Sequence, residues 1–472
     1  MSIKTLHVYS TNDLHSHFSS WPKVASFLKN ERKFHELQGD SVLLFDIGDH
    51  ADRVHPMTEG TGGKGNVVLL NELNYDDVTI GNNEGITFSK EELDQMYQDA
   101  TFSVLVSNLY DESGKRPDWV KPYRIHEMKN GLSVGVIGIT VPYHLFYQLL
   151  GWKIVDPLSI LQDIVNEVKE KADIVILLSH MGLFNDEEIA DQVEGIDLIL
   201  GAHTHHLIHQ GKNVKGTLIA QSGKDCQYVG QVKIAYDSTS GEVVEKEAYS
   251  VSVERMKPDS RTVQLINELE TNAASNLGEV ITELKETMKI SWDQPSPFSK
   301  ELASALKEWC NAEIGMVNAG LLLEDLQAGE VTRLDLHRVC PHPINPCMVK
   351  LKGREIKEIA AQAVTSKMVN LEFKGLGFRG KVMGVMVYDG LEVETRVLDD
   401  GLIHVKAITR NGEPLEMDRE YTVATVDMFT FGQFYPEIKH AQKDYYLPEM
   451  LRDVLAWHLR QESLLNRDTN NK

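Results

Sequence analysis

Seven side chains that can bind a metal ion recur in five short segments of this 472-residue chain. "TNDLHSH" carries Asp13 and His15, "DIGDHAD" carries Asp49, and "IGNNEG" carries Asn82. "LLSHMG" carries His180, and "LILGAHTHH" carries His203 and His205. Mixed histidine and carboxylate donors suit zinc, manganese, iron or cobalt better than calcium or magnesium. Seven donors exceed what one ion needs from a protein. A carboxylate shared between two ions ~3.5–4 Å apart is a known arrangement for phosphoester hydrolysis. Singly the segments mean little: Asp-x-His arises by chance, and Gly-Asp and Gly-Asn are common turns. The ordered set carries the signal, and two divalent ions are the expected cofactors.

Each segment follows a short apolar run of the kind that forms a buried strand. The runs are Leu6–Ser10, Val42–Asp46, Val78–Ile80, Ile174–Leu178 and Leu198–Leu200, with others at Val104–Ser107 and Val134–Ile139. In open α/β sheets, ligands sit beyond the carboxyl ends of the strands, so these runs deliver the donors to one edge. Helical periodicity lies between them. Trp21–Phe34 has apolar residues at 24, 27, 28 and 34, and Pro157–Lys171 shows a similar stripe. Ser89-Lys90-Glu91-Glu92 reads as a capping box. The pattern fades after Gly230–Tyr236. An amphipathic helix is expected within 253–278 as a linker, between a first domain at 1–252 and a second α/β domain at 279–466. The second domain should contain a helix at Ser299–Trp309, strands at Ile314–Val317 and Tyr421–Val426, and a strand–Gly–helix unit at Met348–Ala363. A hairpin around Asp399-Asp400-Gly401 and a closing helix at Pro448–Glu462 complete it.

Composition narrows the partners. Hydrophobic content of 42% and charged content of 25% fit a globular enzyme. A net charge of −22, from 70 acidic against 48 basic residues, repels nucleic-acid polymers. A small phosphorylated substrate stays compatible, since a local metal overrides the global field. No run of 18 apolar residues suggests a membrane span. The N-terminus lacks a basic stretch followed by an apolar one. The four cysteines (Cys226, Cys310, Cys340, Cys347) have no CxxC spacing. A cytoplasmic location is expected.

The ordered set "NDLHSHF", "IGDHAD", "IGNNE", "LLSHMG" and "GAHTHH" resembles the calcineurin-like metallophosphoesterases. Within them it looks like the 5'-nucleotidase / 2',3'-cyclic phosphodiesterase family, in a cytosolic bacterial branch. "GMVNAGLLLEDLQAGEVTRLDLHRVCPHPIN" is similar to that family's C-terminal segment. The resemblance implies a layered α-β-β-α metallophosphoesterase sandwich, followed by a smaller α/β 5'-nucleotidase-type domain that recognises substrate. It implies that Asp13, His15, Asp49 and His205 hold one metal, and that Asp49, Asn82, His180 and His203 hold the other. The implied reaction is hydrolysis of nucleotides or related phosphorylated metabolites by a metal-bound hydroxide.

Two departures matter. The family has a histidine directly after the metal-binding Asn and an Asp three residues later. Here those positions are Asn83 and Ile86. Loss of that pair matters most for poor leaving groups, since a general acid contributes typically ~10²–10⁴-fold. One expectation is therefore a preference for phosphoanhydrides or activated esters; the alternative is replacement, with His17 or His50 supplying the proton and Asn83 a hydrogen bond to a phosphoryl oxygen. In the second domain the family's Pro-Phe becomes "CPHPIN", with His342 in place of the stacking ring, and Phe431, Phe434 and Tyr435 are candidates for the other ring. Asn318 opens "NAGLLL", where Leu323 replaces an arginine, and Phe378 and Arg379 of "GLGFRG" are possible substitutes. Two other readings stay open: a non-catalytic nucleotide or metal sensor, and a metal-dependent esterase on thiosulfate-type substrates.

Overall fold

Apolar runs build two sheets in the first half of the chain. The computed structural model describes residues 3–399, 401–432 and 434–470, the side chains of 462–470 excepted. In the first sheet, β1 (Ile3–Thr11), β2 (Ser41–Asp46), β3 (Asp77–Val78), β4 (Ser103–Leu105) and β5 (Val120–Lys121) run parallel. The second sheet holds β6 (Tyr123–Glu127), β7 (Ser133–Thr140), β8 (Ile174–His180), β9 (Leu198–Gly201), β10 (Lys212–Val214) and β11 (Thr217–Ala220), in the order β10-β11-β9-β8-β7-β6. A hairpin of β12 (Tyr228–Asp237) and β13 (Glu242–Ser252) extends the first sheet past β1, antiparallel to it.

Strand alternation assigns each side chain to a layer. On β8, Ile174, Ile176 and Leu178 face the space between the sheets, where they meet Leu6, Val8, Leu43 and Phe45. Val175 and Leu177 face outward onto α2 (Leu161–Lys169) and α3 (Leu183–Gln192), through Leu161, Val165 and Ile189. Both faces are covered, so the strand reads as one continuous apolar run. At one point the sheets come close enough to need glycine: a Cβ on Gly138 would lie 1.9 Å from the Leu105 carbonyl oxygen. On the outer face of the first sheet lies α1 (Trp21–Gln38), where Phe27 meets Tyr9 edge-on.

The expected stripe on α1 is correct at Val24, Phe27 and Leu28 but not at Phe34, which is 56% exposed. His35 takes the inward position instead. The fading after Gly230–Tyr236 hides the β12–β13 hairpin, because β13 has a single buried residue and is rich in Glu.

Residues up to Ala273 and those from Ala274 onward form two compact units. The helix expected within 253–278 is α4 (Ser260–Asn276), and it crosses this division. The second unit is built on a five-stranded sheet. It comprises β14 (Ile314–Asn318), β15 (Pro346–Lys352), β16 (Met386–Asp389), β17 (Glu420–Val426) and β18 (Lys443–Tyr445), ordered β16-β14-β17-β15-β18. Helices Pro297–Trp309, Gly353–Ala363 and Leu451–Asn470 accompany it. Strands Glu392–Val397 and Ile403–Arg410 form the expected hairpin; Asp400 of its turn lies outside the described residues.

Candidate functional site

Five strands end at one edge. β1 ends two residues before Asp13, β2 three before Asp49, β3 four before Asn82, β9 two before His203, and β8 ends on His180 itself. The first two loops are laced together by their backbones. Asp13 N–H donates to the Gly48 carbonyl (3.0 Å), His15 N–H to Asp49 (2.8 Å) and Ser16 N–H to His50 (3.1 Å). The third loop seats against the second through glycine. A Cβ on Gly81 would lie 2.0 Å from Asp49 Oδ1 and 2.6 Å from Asp49 N, so no side chain fits. Glu84 then bridges them. Its Oε2 accepts from the N–H groups of Asp49 and Gly81 (both 2.9 Å), and its Oε1 accepts from Ala51 N–H (2.8 Å). Burial and neighbouring Asp49 raise Glu84 to about 7.

The donors form two groups, Asp13–His15–His205 and Asp49–His180–His203. His15 Nε2 lies 3.0 Å from His205 Nε2, and His205 Nε2 lies 3.5 Å from Asp13 Oδ1. His180 Nε2 lies 3.4 Å from Asp49 Oδ2, and that same oxygen is 4.0 Å from His15 Nε2. Four ligands at zinc-like bond lengths of about 2.0–2.1 Å in a tetrahedron are separated by about 3.3 Å, so these spacings fit an ion.

The hydrogen-bond inventory agrees. His180 Nδ1 donates to the Ile47 carbonyl (2.7 Å), which leaves Nε2 as the nitrogen turned toward Asp49. Nε2 of His180 and Oδ1 of Asn82 are both buried without a hydrogen-bond partner. An unsatisfied buried acceptor is costly unless something else fills it, and a cation would. Burial alone would push His15 and His180 down. Asp52, Asp49 and Asp13 outweigh it at His15, and Asp49 and Asp13 at His180, lifting them to about 9 and 10. Burial raises the Asp13 carboxyl, but His205, His180 and His15 more than reverse it. The cluster seeks positive charge.

All seven predicted donors therefore lie at this edge. Asn83 lies there too. Its backbone N–H donates to Asp49 Oδ1 (2.8 Å), and its carboxamide nitrogen is 2.8 Å from His15 Nδ1. A carboxamide carries a donor and an acceptor, so Asn83 serves either tautomer of His15. Ile86 is half-buried and His17 is exposed on its loop. His50 does not suit a proton donor. It is buried edge-on against Trp21, takes Asn66 Nδ2 at Nδ1 (3.1 Å), and burial depresses it to about 3. Four contributors went unread in the sequence: Glu84, Asp52, Asn12, which donates to Asp13 Oδ2 (2.7 Å), and Tyr143, whose hydroxyl is 3.2 Å from His203 Nε2. Only Glu84 left a trace, as the acidic residue of "GNNE".

Comparison with known proteins places this geometry. The calcineurin-like phosphoesterase family matches residues 6–207, and the 5'-nucleotidase, C-terminal domain family matches residues 275–434. "Uncharacterized metallophosphoesterase YunD" of Bacillus subtilis (strain 168) is 48% identical over 458 residues, spanning 97% of this chain and 99% of the relative. The chain belongs to the calcineurin-like metallophosphoesterases. Its second unit is a 5'-nucleotidase C-terminal domain. Among solved structures, the NAD nucleotidase (NadN) of Haemophilus influenzae aligns with a TM-score of 0.67 at 17% identity, covering 98% of this chain and 97% of its own. A putative 5'-nucleotidase of Staphylococcus aureus, in complex with alpha-ketoglutarate, aligns with a TM-score of 0.65 at 20% identity, covering 98% of each. At such identities the likeness speaks for the two-domain α/β fold.

In the second unit of this metallophosphoesterase, most residues expected to face a substrate belong to the core. His342 is fully buried: Nδ1 accepts from Arg379 N–H (3.0 Å) and Nε2 donates to the Leu321 carbonyl (2.9 Å). Its ring stacks on buried Phe378, with centroids 5.4 Å apart. Phe434 and Tyr435 are buried against Phe429. Asn318 is buried and donates to the Met383 carbonyl (2.8 Å). A base stacks on an open ring face, and these rings have none. Phe431, 41% exposed and parallel to Tyr445, and the exposed Arg379 are the remaining surface candidates. A cavity of about 490 Å³, unforeseen in the sequence, is lined by Trp292, Leu323, Val369 and Val382 with Ser291 and Asn370. Leu323 is the residue at the family's arginine position.

Proposed function

We propose that this chain is a two-metal-dependent phosphoesterase that hydrolyses nucleotides or related phosphorylated metabolites. One observation carries the reading: Asp49 Oδ2 reaches toward both donor groups, at 3.4 Å from His180 Nε2 and 4.0 Å from His15 Nε2. Asp13, His15, Asp49 and His205 would hold one ion, and Asp49, Asn82, His180 and His203 the other. Bound divalent ions supply Lewis-acid polarisation of the phosphoryl group and activation of water. The chain's residues then orient and select. Asn83 offers an N–H to a phosphoryl oxygen but has no proton to give up, and Ile86 offers neither. A leaving group must depart without protonation from that pair. A phosphate leaving group, with its last pKa about 6, does so more readily than a ribose alkoxide. Phosphoanhydrides and activated esters are therefore the preferred substrates.

For the second unit we propose a recognition role, with Phe431, Arg379 and the cavity at Trp292 and Leu323 as its contact surfaces. For the compartment we propose the cytoplasm, supported by four cysteines that are all buried and free of disulfides. Among the described residues, no helix is long and apolar enough to cross a membrane.

The test is a phosphate-release screen with Mn²⁺, Zn²⁺, Co²⁺ or Mg²⁺. Its panel holds AMP, ADP and p-nitrophenyl phosphate, a 2',3'-cyclic nucleotide and a nucleotide sugar with added phosphatase, and a thiosulfate-type ester read by sulfate release. The expected result is turnover that Asp49→Asn abolishes and that favours ADP over AMP. Equal rates on ADP and AMP sink the leaving-group preference. Bound metal with no turnover on the whole panel replaces the enzyme with a sensor.

A further inference from the structure

A second cluster of metal-binding side chains lies away from the centre just described. Leu6 and Val8 of β1 face the layer between the sheets, so the alternate residues His7 and Tyr9 face α1. His35 lies in the last turn of α1, and Asp40 lies just beyond it. His35 Nδ1 is 3.0 Å from Asp40 Oδ2, and His7 Nε2 is 3.6 Å from that same oxygen. The three donor atoms lie within 4.8 Å of one another. Side-chain exposure is 14% for His7, 5% for His35 and 33% for Asp40, so the cluster is most open to solvent at Asp40.

The proton inventory leaves this cluster one positive charge short. The Tyr9 hydroxyl donates its only proton to Glu31 Oε2 (2.7 Å) and accepts from Gln231 (3.3 Å). Its 2.9 Å contact with His35 Nε2 therefore needs the proton on Nε2. With only that proton on the ring, the Nδ1 lone pair faces a carboxylate oxygen at 3.0 Å; a cation between them, or a second proton, relieves the conflict. His7 does not supply that charge readily, because its ring is stacked on His35 (3.9 Å between centroids) and burial lowers its pKa. Lys233, opposite His7 on β12, opposes a cation, but Glu245 shares its charge at 3.6 Å. The C-terminal end of an 18-residue helix favours a cation. Spacings of 3.0 and 3.6 Å bracket the separation of about 3.3 Å for tetrahedral zinc ligands.

We propose that His7 Nε2, His35 Nδ1 and Asp40 Oδ2 hold a divalent ion of the zinc class, with solvent completing its coordination. The site would tie the end of α1 to the first sheet, roughly 13 Å of strand back from the end of β1 at Thr11. The test is zinc content per chain, measured after metal stripping, Zn²⁺ loading and desalting. Wild type is compared with Asp40→Asn and with His7→Gln. Each variant should hold one zinc fewer than wild type, with manganese-supported hydrolysis of p-nitrophenyl phosphate unchanged. Equal zinc content in wild type and both variants overturns the proposal and leaves a proton on His35 Nδ1 as the missing charge. Failure of the two-metal reading at Asp49 would change the total but not this difference.

Discussion

Glu84 is the residue whose removal says most about how the centre is held. Its two oxygens accept three backbone N–H groups from the two loops that carry Asp49 and Asn82. Glu84→Gln keeps the shape but has only one acceptor oxygen. With that oxygen in the Oε2 position, the bonds from Asp49 and Gly81 survive and Ala51 N–H faces an amide NH₂. The other orientation strands two donors, so the first is preferred. One stranded, buried N–H costs about 1–3 kcal/mol. Glu84→Ala strands all three, at up to about 3–9 kcal/mol, which approaches the whole stability of a domain at about 5–15 kcal/mol. Asp49 lies between two of the lost bonds, so its carboxylate loses its aim. Loss of a group that orients a ligand typically costs roughly 10–100-fold in metal affinity. The assays are urea denaturation and a Mn²⁺ activation curve on p-nitrophenyl phosphate. The expected order for both is wild type, then Gln, then Ala. Gln matching wild type in both would refute the reasoning. The carboxyl would then be protonated in the native protein, consistent with its raised pKa, and the contact between Gly48 and Gly81 would hold the loops.

Four further perturbations test other parts. Gly81→Ala drives a Cβ to 2.0 Å from Asp49 Oδ1; displacement of that carboxylate should cost roughly 10²-fold in turnover, and near-normal kcat would contradict the packing. Asn83→His with Ile86→Asp restores the family pair and should raise AMP hydrolysis relative to ADP by up to about 10²–10⁴-fold; an unchanged ratio would dissociate leaving-group choice from these positions. Burial lifts Asp427 from 3.8 to about 7. The native state therefore binds more protons than the unfolded chain between about pH 4 and 7, and stability falls as pH rises through that window, by at most about 4 kcal/mol. Asp427→Asn should gain on wild type at pH 8 relative to pH 5 in urea melts, and an equal gap at both would show an unshifted group. Phe431→Ala should raise KM for a nucleotide by roughly 5- to 150-fold, the equivalent of losing about 1–3 kcal/mol of stacking, with p-nitrophenyl phosphate little affected; no change would place the base elsewhere.

The parts legible in the sequence share one physical cause. Parallel strands covered on both faces are unbroken apolar runs, so β2, β8 and β9 announce themselves, and the polar residues after them mark the edge where donors meet. What depends on two distant segments meeting is silent. Gly48 against Gly81, and Glu84 clasping Asp49 and Ala51, exist only once β2 and β3 are neighbours. Aromatic identity misled for a related reason. His342, Phe378 and Phe434 look like stacking platforms, but a ring is equally at home in a core, and here His342 spends both nitrogens on backbone groups. The exposed Phe34 and the inward His35 show the same limit on α1: the stripe fits either face assignment until the sheet is in place.

The backbone of the centre bears on why its proposed ligands are mostly Asp and His rather than other donors. Asp13, His15, Asp49, His203 and His205 all adopt positive φ, between 48° and 74°. A non-glycine residue in that region costs roughly 1–2 kcal/mol, so five together hold on the order of 5–10 kcal/mol of local strain. Asp, Asn and His tolerate the left-handed region several-fold better than other residues. The chemistry suited to an ion and the conformation that aims each donor therefore select the same residue types. The backbone ladder from Asp13, His15 and Ser16 onto Gly48, Asp49 and His50 keeps the turns from relaxing. Strain of this kind persists where surrounding structure over-determines it and where its release would destroy function. At this edge, the glycine contact, the Glu84 clasp and the laced loops supply that over-determination.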